Sequence, residues 1–384
     1  MKRFAAIVLL LLLPCFAFAQ TETKDDRDFL TAFLEDNLSD AGREVRVKGF
    51  SGSLSAESTI EELTIADDGG VWITLRDVVL DWNQSALLRG RLEVNTLSAR
   101  EILLPRFPKT DASTPSPEAT EFTLPELPVS VEIAAVKADR VVLGAAVLSR
   151  EATVKLEASL SLNAGAGDAE VSIARIDGEL GTLRFAGGYS NATRELSLDV
   201  ALSEGKGGIV STLLNLPDTP AIAMTVKGTG ALDDYIADIS LLSDNEPRLT
   251  GQITIVALRD ENDSSNLGHA FGAEIGGDIA PLFAPDYRSF FGSDIQLKLR
   301  GERLTDGRVT LDTLALKARS VSIEGSGAIG AEGWPERFEL EAEISDQSGS
   351  PVLLPLSGSK TLVDSLTLDL AYNHANDDDW KGTL

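Results

Sequence analysis

Residues that could carry catalytic or metal chemistry are few in this sequence. It contains one cysteine and two histidines, His269 and His374, which are far apart along the chain. Zinc and acid–base sites combine several such residues, and no HExxH, GxSxG, CxxC or Walker-type motif occurs. We interpret both histidines as surface-loop residues. Ser357 and Lys360 match the SxxK pattern of serine nucleophiles, but no helical pattern surrounds them.

Carboxylates are abundant but do not form a recognisable site. Asp67 and Asp68 lack further acidic residues at the spacing that a calcium loop needs. The other acidic residues are scattered along polar faces, where solvation accounts for them, and not clustered as in solenoid hydrolases. We therefore predict a protein that is not an enzyme, with no catalytic residue, no metal and no cofactor.

The formal net charge is −26. Nucleic-acid binding needs clustered Lys and Arg that release counterions from phosphates, so nucleic acid is not predicted as a partner. Electrostatic docking on anionic lipid headgroups is disfavoured for the same reason.

The strongest pattern is the spacing of apolar residues between positions 71 and 104. Within each group the step is two, as in Val71, Ile73 and Leu75, so the side chains fall on one face of a strand. Between groups the step is three, as from Leu75 to Val78, and a bulge, corner or turn must absorb the extra residue.

The same irregular rhythm returns later in the chain. Residues 131–143 match residues 92–104 position by position at an offset of 39, and residues 309–323 give a looser third copy. We interpret this as an internally repetitive sheet. The predicted lipid-groove residues come from the 71–104 stretch and its two later copies: Ile73, Leu75, Leu80, Val94, Leu97, Ile133, Val136, Leu311, Leu314 and Ile323.

The organisation of the chain follows from composition. Residues 1–20 have a basic start, an apolar run and a small-residue cleavage site, which predicts a cleaved signal peptide or an uncleaved signal anchor. Residues 25–40 are predicted to form an amphipathic helix that either caps the first sheet edge or contacts the membrane. Residues 43–104 form a first β-sheet unit, residues 105–128 a Pro-rich linker, and residues 129–384 continuing β-sheet repeats.

Three shorter segments have specific predictions. Residues 67–70 (DDGG) predict the turn of a hairpin, and residues 239–257 predict a second hairpin. Residues 279–291 (IAPLFAPDYRSFF) do not alternate and predict short helical turns or a buried plug. The last strand, near residues 365–372, begins a further unit, so we expect the sequence to be the front part of a longer protein.

A family resemblance supports an envelope role. The segments that carry it are residues 49–54 (GFSGSL), 63–67 (LTIAD), 72–75 (WITL), 77–82 (DVVLDW), 86–92 (ALLRGRL), 227–232 (KGTGAL), 247–251 (PRLTG) and 290–292 (FFG). They resemble the amino-terminal portion of the TamB family of translocation and assembly module subunits, alphaproteobacterial type, within the AsmA-like superfamily of Gram-negative envelopes.

The resemblance implies a trough-shaped β-sheet that spans the periplasm from the inner membrane. It also implies a partnership with a TamA-like outer-membrane barrel, and a role in outer-membrane protein assembly or phospholipid transport. Two features differ from the family. The amino-terminal segment has a cleavage site where the family keeps an anchor, and the carboxy-terminal domain that meets TamA is not within these 384 residues.

We therefore predict an all-β fold: an elongated, repetitive, mostly antiparallel sheet curled into an open trough (β-taco-like), with the short amino-terminal amphipathic helix. Its apolar groove would bind phospholipid acyl chains in the periplasm, next to the inner membrane. Two alternatives remain. A chaperone or scaffold would use strand edges to bind unfolded strands, and an exported closed β-solenoid would have a dry core and act as an adhesin or carbohydrate-active enzyme.

Overall fold

The computed structural model describes residues 44–52, 57–109, 123–260, 266–356, 358–374 and 379–383. The predicted signal segment and amphipathic helix, and residues 110–122 of the Pro-rich segment, lie outside the described residues. The predicted fold class is confirmed: 66% of the described residues are in strands, and the sheet is large, mostly antiparallel and not closed.

The chain divides into two compact units. Among the described residues, unit 1 comprises residues 44–52, 57–109 and 124–185, and unit 2 comprises residue 123 and residues 186–260, 266–356, 358–374 and 379–383. The strand before the 105–128 segment and the strand after it both belong to unit 1.

Unit 1 contains seven successive strands. They are β1 Glu44–Gly52, β2 Ser58–Asp67, β3 Gly70–Asn83, β4 Arg91–Leu104, β5 Ser130–Leu143, β6 Ala152–Asn163 and β7 Ala166–Arg175. Each pairs with the next, antiparallel throughout except for β4 and β5, which are parallel. Helix α1 (Gln84–Leu87) connects β3 to β4, and α2 (Ala145–Leu148) connects β5 to β6. Strand β8 (Gly181–Ser190) follows across the unit boundary.

The parallel pair explains the offset of 39 in the sequence. Leu92 lies opposite Val131, Ala99 opposite Ala138, and Leu104 opposite Leu143, so every residue of β4 that pairs with β5 faces the residue 39 positions later. The two strands share their three-residue steps. Relative to β6 the steps in β5 appear as bulges between Ile133 and Val136 and between Ala138 and Val141.

A further line of irregular residues crosses the first five strands. Gly49, Glu61, Asp77, Arg100 and Asp139 each lie between two paired positions and have no ladder partner of their own. Gly49 and Asp77 have left-handed backbone, with φ of 67° and 49°. The predicted corner is therefore confirmed at the step from Leu75 to Val78, where Asp77 is the extra residue.

Unit 2 contains eleven strands in one ladder. They are β9 Glu195–Glu204, β10 Ile222–Ala231, β11 Asp234–Ser243, β12 Glu246–Arg259, β13 Asn266–Gly277, β14 Ile295–Leu304, β15 Val309–Lys317, β16 Val321–Ile329, β17 Pro335–Ser345, β20 Ser365–Asn373 and β21 Asp379–Thr383. Every neighbouring pair in this order is antiparallel. The two predicted hairpins, β2–β3 and β11–β12, are both confirmed.

The long connections of unit 2 all leave the sheet at one end. Because the strands alternate in direction, the connections after β9, β13 and β17 lie at the same end, which we call the cap end. They contain α3 (Ile209–Leu213), two 3₁₀ turns (Ala280–Leu282 and Pro285–Tyr287) followed by α4 (Arg288–Phe291), and the small pair β18 (Val352–Leu353) and β19 (Leu362–Val363). The opposite end, with the connections after β10, β12, β14 and β16, we call the turn end.

The predicted helical turns of residues 279–291 are confirmed, and they form a plug. Phe290 is 6% exposed and packs with Val321, Val352 and Leu354. The Phe291 ring stacks on Phe283 with centroids 3.8 Å apart. The described helices have four or five residues each, and none is long and apolar enough to cross a membrane.

Candidate functional site

The two faces of the unit 2 sheet differ sharply in chemistry. Residues directly opposite on neighbouring strands share a face, so the ladder pairs define rows across the sheet. One row contains Leu198, Gly228, Ala237, Ile253, Ala273, Leu299, Leu314, Gly325, Leu340, Leu370 and Gly382. It has no polar side chain on any of eleven strands. We call this side the apolar face.

The neighbouring row towards the turn end is aromatic and glycine-rich. It contains Tyr235, Ile255, Phe271, Gly301, Leu311, Gly327, Phe338 and Tyr372. The rings of Phe338 and Tyr372 stack with centroids 5.7 Å apart. The apolar face therefore continues over at least two rows.

The opposite face is charged. Its corresponding row contains Asp199, Lys227, Asp238, Gln252, Glu274 and Lys298. Lys227 Nζ lies 2.9 Å from Asp199 Oδ2, and Lys298 Nζ lies 2.9 Å from Glu274 Oε1. Hydrogen bonds from Lys298 and then Arg300 lower the pKa of the Glu274 carboxyl. The polar groups of this face form ion pairs and can be hydrated, so no apolar surface has to cover them.

A cleft of about 350 Å³ opens on the apolar face between β15, β16 and β17. Its walls include Leu311 and Leu314 on β15 and Phe338 and Leu340 on β17, and its lining is almost entirely apolar. Gly325 and Gly327 on β16 form its floor, because each lies in the ladder between one wall residue of β15 and one of β17.

The two floor glycines leave a furrow because they lack side chains. A Cβ atom on Gly325 would lie 3.1 Å from Leu340 Cδ1 and 3.8 Å from Leu314 Cδ2. On Gly327 it would lie 3.4 Å from Phe338 Cβ. A larger side chain at either position would therefore fill the space between the walls.

Other glycines of the apolar face are covered instead of open. A Cβ on Gly301 would meet Phe271 Cζ at 2.7 Å, so the Phe271 ring occupies that space. Tyr235 covers Gly228 in the same way. Tyr235 is 4% exposed, its hydroxyl is buried without a hydrogen-bond partner among the described residues, and burial raises its pKa. The furrow at Gly325 and Gly327 has no such ring among the nearest atoms.

The three predicted groove residues of unit 2 have different positions. Leu311 and Leu314 line the cleft. Ile323 is on the same face but packs against the plug formed around Phe290. The third sequence copy does not form a single strand. Leu316 lies in β15 and Val321 is the first residue of β16, so this copy spans a hairpin. Its step from Leu311 to Leu314 is a bulge, as in the other copies.

The seven predicted residues of unit 1 share one face of its sheet. Leu80, Leu97 and Val136 lie opposite one another on β3, β4 and β5, and so do Val94 and Ile133 on β4 and β5. Ile73 and Leu75, on β3, are half-buried opposite Ile65 and Leu63 of β2.

Packing separates these residues into two kinds. Val94 is 8% exposed in a cluster with Leu92 and Val131, against which Leu80, Ile133 and Leu87 pack, so this part of the face is a local core. Leu97 is 36% exposed, so that part is accessible.

The polar residues considered in the sequence have structural partners. Asp67 accepts hydrogen bonds from Arg106 Nη1 (2.9 Å), Lys109 N (2.8 Å) and Gly69 N (2.7 Å), and the Arg106 bonds hold the pKa of its carboxyl well below the usual range. Lys360 Nζ lies 2.5 Å from Asp286 Oδ2, while Ser357 lies outside the described residues. Within the described part of the chain, no three His, Cys, Asp or Glu side chains converge as a metal site would require.

The expectation that His269 is a loop residue was wrong. It lies in β13, and its Nε2 is 3.0 Å from Arg194 Nη2. His374 is exposed immediately after β20. The sequence analysis missed the floor glycines because it considered only apolar side chains, and glycine has none. The signal that could have located them is the alternating segment 324–329 (EGSGAI), which pairs with the alternating segment 337–344 (RFELEAEI).

Comparisons of the chain with protein-family models, with curated proteins and with solved structures found no match.

Proposed function

We propose that this chain is a non-enzymatic protein of the bacterial envelope that binds phospholipid acyl chains on the apolar face of its sheet. The observation that carries the proposal is the open furrow over Gly325 and Gly327, with Leu311, Leu314, Phe338 and Leu340 as walls. A hydrocarbon chain that lies in an apolar furrow removes part of its apolar surface from water, which is favourable.

The size and chemistry of the cleft fit this ligand class. Its volume of about 350 Å³ falls within the ~300–1,000 Å³ typical of small-molecule sites. Burial contributes about 25 cal/mol per Å² of apolar area, so a chain covering several hundred Å² would gain several kcal/mol. A lining with almost no polar atoms selects for hydrocarbon and against sugars or peptides.

The localisation and partners follow from the resemblance to the TamB family. We propose a periplasmic protein associated with the inner membrane, which supports outer-membrane protein assembly and phospholipid transport together with a TamA-like barrel. The alternative prediction of a closed β-solenoid does not agree with the structure, because the sheet is not closed. Adhesin or carbohydrate activity as such remains a separate prediction.

The test fills the furrow. Gly327→Val places a branched side chain between Leu311 and Phe338, and we expect binding of a fluorescent fatty acid to weaken about tenfold, because covering two fewer methylene groups loses about 1.6 kcal/mol at ~0.8 kcal/mol each. Gly325→Val should act in the same direction. Affinity is measured by titration of the purified chain, with thermal unfolding as the check on folding.

The matched control is Ala315→Val. Ala315 lies on the neighbouring strand but in the charged-face row, opposite Lys298 and Glu324, and a similar added volume there should leave fatty-acid affinity unchanged. Equal affinity in all three folded variants would refute the furrow as the binding site.

A further inference from the structure

A group of basic side chains lies at the turn end of the unit 2 sheet. Arg194 Nη2 is 3.0 Å from His269 Nε2, and Arg194 Nε is 3.0 Å from Asp233 Oδ1. Arg259 bonds the other oxygen of the same Asp233 carboxylate. Arg303 lies directly opposite His269 in the β13–β14 ladder. We call Arg194, Arg259, His269 and Arg303 the basic cluster.

The ladder places this cluster next to the acyl-chain cleft. His269 and Arg303 continue the apolar face by one row beyond Phe271 and Gly301. Arg303 also lies opposite Val309, which lines the cleft. Since neighbouring strands are about 4.8 Å apart, Arg303 starts about one strand from the cleft wall, and its long side chain spans more than that distance.

Basic side chains outnumber the neighbouring acidic ones at this place, unlike in the chain as a whole. The formal net charge of the protein is −26, yet here Arg194 and Arg259 share the single carboxylate of Asp233, and the acidic residue Asp260 follows Arg259 in sequence. Glu302 and Asp234, the acidic residues adjacent to Arg303 and Tyr235 on the strands, alternate to the charged face. The cluster therefore places three arginines and a histidine, against Asp233 and Asp260, beside an otherwise apolar cleft.

We propose that the basic cluster binds the phosphate group of the lipid whose acyl chain occupies the cleft, so that the ligand is a phosphate-bearing amphiphile. This inference rests on the proposed function. Guanidinium groups donate paired hydrogen bonds to phosphate oxygens, and such charge-assisted bonds are about twice as strong as neutral ones. A chain lying along β16 with its head towards the turn end leaves the cleft past Val309 and Ile329, on the side of Arg303.

The experiment compares three ligands on the full chain by isothermal titration: a short-chain lysophosphatidic acid, the monoacylglycerol with the same acyl chain, and inorganic phosphate. We expect the wild-type chain to bind the lysophosphatidic acid more tightly than the monoacylglycerol. Arg303→Gln should weaken lysophosphatidic acid binding about tenfold or more, as expected for the loss of a charged hydrogen bond, and should leave monoacylglycerol affinity unchanged.

Arg308→Gln is the matched control. Arg308 lies in the turn after β14 and pairs with Asp306 at 2.7 Å, so its loss should change neither lipid affinity. If Arg303→Gln does not fold, Arg194→Gln makes the same test from the other side of His269.

The outcomes separate the two proposals. Equal wild-type affinity for both lipids, or equal loss of both in Arg303→Gln, overturns the headgroup site while leaving acyl-chain binding intact. Binding of inorganic phosphate as tightly as the lysophosphatidic acid identifies a free-phosphate site and also overturns it. Failure of the wild-type chain to bind either lipid refutes the proposed function, and the headgroup site with it.

Discussion

Single residues with unusual backbone decide how the strands of unit 1 keep one face apolar. Asp77 is the extra residue in the step from Leu75 to Val78, and its φ of 49° lies in the left-handed region. Its carboxylate bonds Arg100 Nε at 2.6 Å, but both side chains are more than half exposed, so this ion pair adds little stability. The conformation of the residue, more than its charge, is what the sheet requires.

Replacing Asp77 tests this requirement. Both Asp77→Val and Asp77→Gly remove the carboxylate, but only valine meets the steric conflict of left-handed backbone, so Asp77→Val should be less stable than Asp77→Gly by about 1–2 kcal/mol. Urea unfolding followed by circular dichroism measures the difference. Equal stability of the two variants would show that the corner does not depend on this backbone conformation.

The same residues show what the sequence could and could not predict. A step of three between apolar residues requires an inserted residue, so the corner was predictable from Leu75 and Val78 alone. Leu311 and Leu314 were predictable as groove residues for the same reason. The floor glycines were not, because their contribution is the space they leave between neighbours on two other strands, and strand partners are not encoded in a local pattern.

At the scale of elements, the connections between strands determine which parts of the apolar face of each unit are accessible. Ile323 has the same strand alternation as Leu314, yet the plug around Phe290 covers it. Val94 is likewise enclosed with Leu87, which belongs to α1. Sequence periodicity identifies a face but not its cover, because the cover comes from connections whose packing partners are remote in sequence.

Removing the plug should therefore affect stability more than lipid binding. Phe290→Ala leaves a cavity among Val321, Val352 and Leu354, and we expect a loss of about 3–5 kcal/mol in the free energy of unfolding. Leu356→Ala, in the connection between β17 and β20 and 54% exposed, should change it by less than about 0.5 kcal/mol. Denaturant titration of the three proteins makes the comparison, and a Phe290→Ala protein as stable as Leu356→Ala would contradict the plug.

The repeat also has an element-scale explanation. The offset of 39 predicted two similar strands, and the structure makes them direct parallel partners, Leu92 to Val131 and onward to Leu104 and Leu143. The sequence did not predict the parallel direction. A parallel neighbour needs a long crossover connection, and the Pro-rich segment after Leu104 supplies the length but does not specify where the next strand will pair.

For the molecule as a whole, the account depends on the contrast between the faces of its sheets. In unit 2 the charged face pairs Lys227 with Asp199 and Lys298 with Glu274, and the apolar face runs across eleven strands with an open furrow. In unit 1 the charged side has a similar ladder, in which Arg76 bonds both Glu62 and Glu101. The charged side of each sheet is suited to contact with water, and the proposed acyl-chain binding uses the other side.

Photo-crosslinking tests this claim most directly. A phospholipid with a benzophenone in its acyl chain is bound to the full chain and irradiated, and the adducts are mapped by mass spectrometry. We predict adducts on Leu311, Leu314, Phe338 and Leu340, which wall the furrow. Adducts distributed equally over both faces, or concentrated on charged-face residues such as Lys298 and Ala315, would contradict acyl-chain binding on the apolar face.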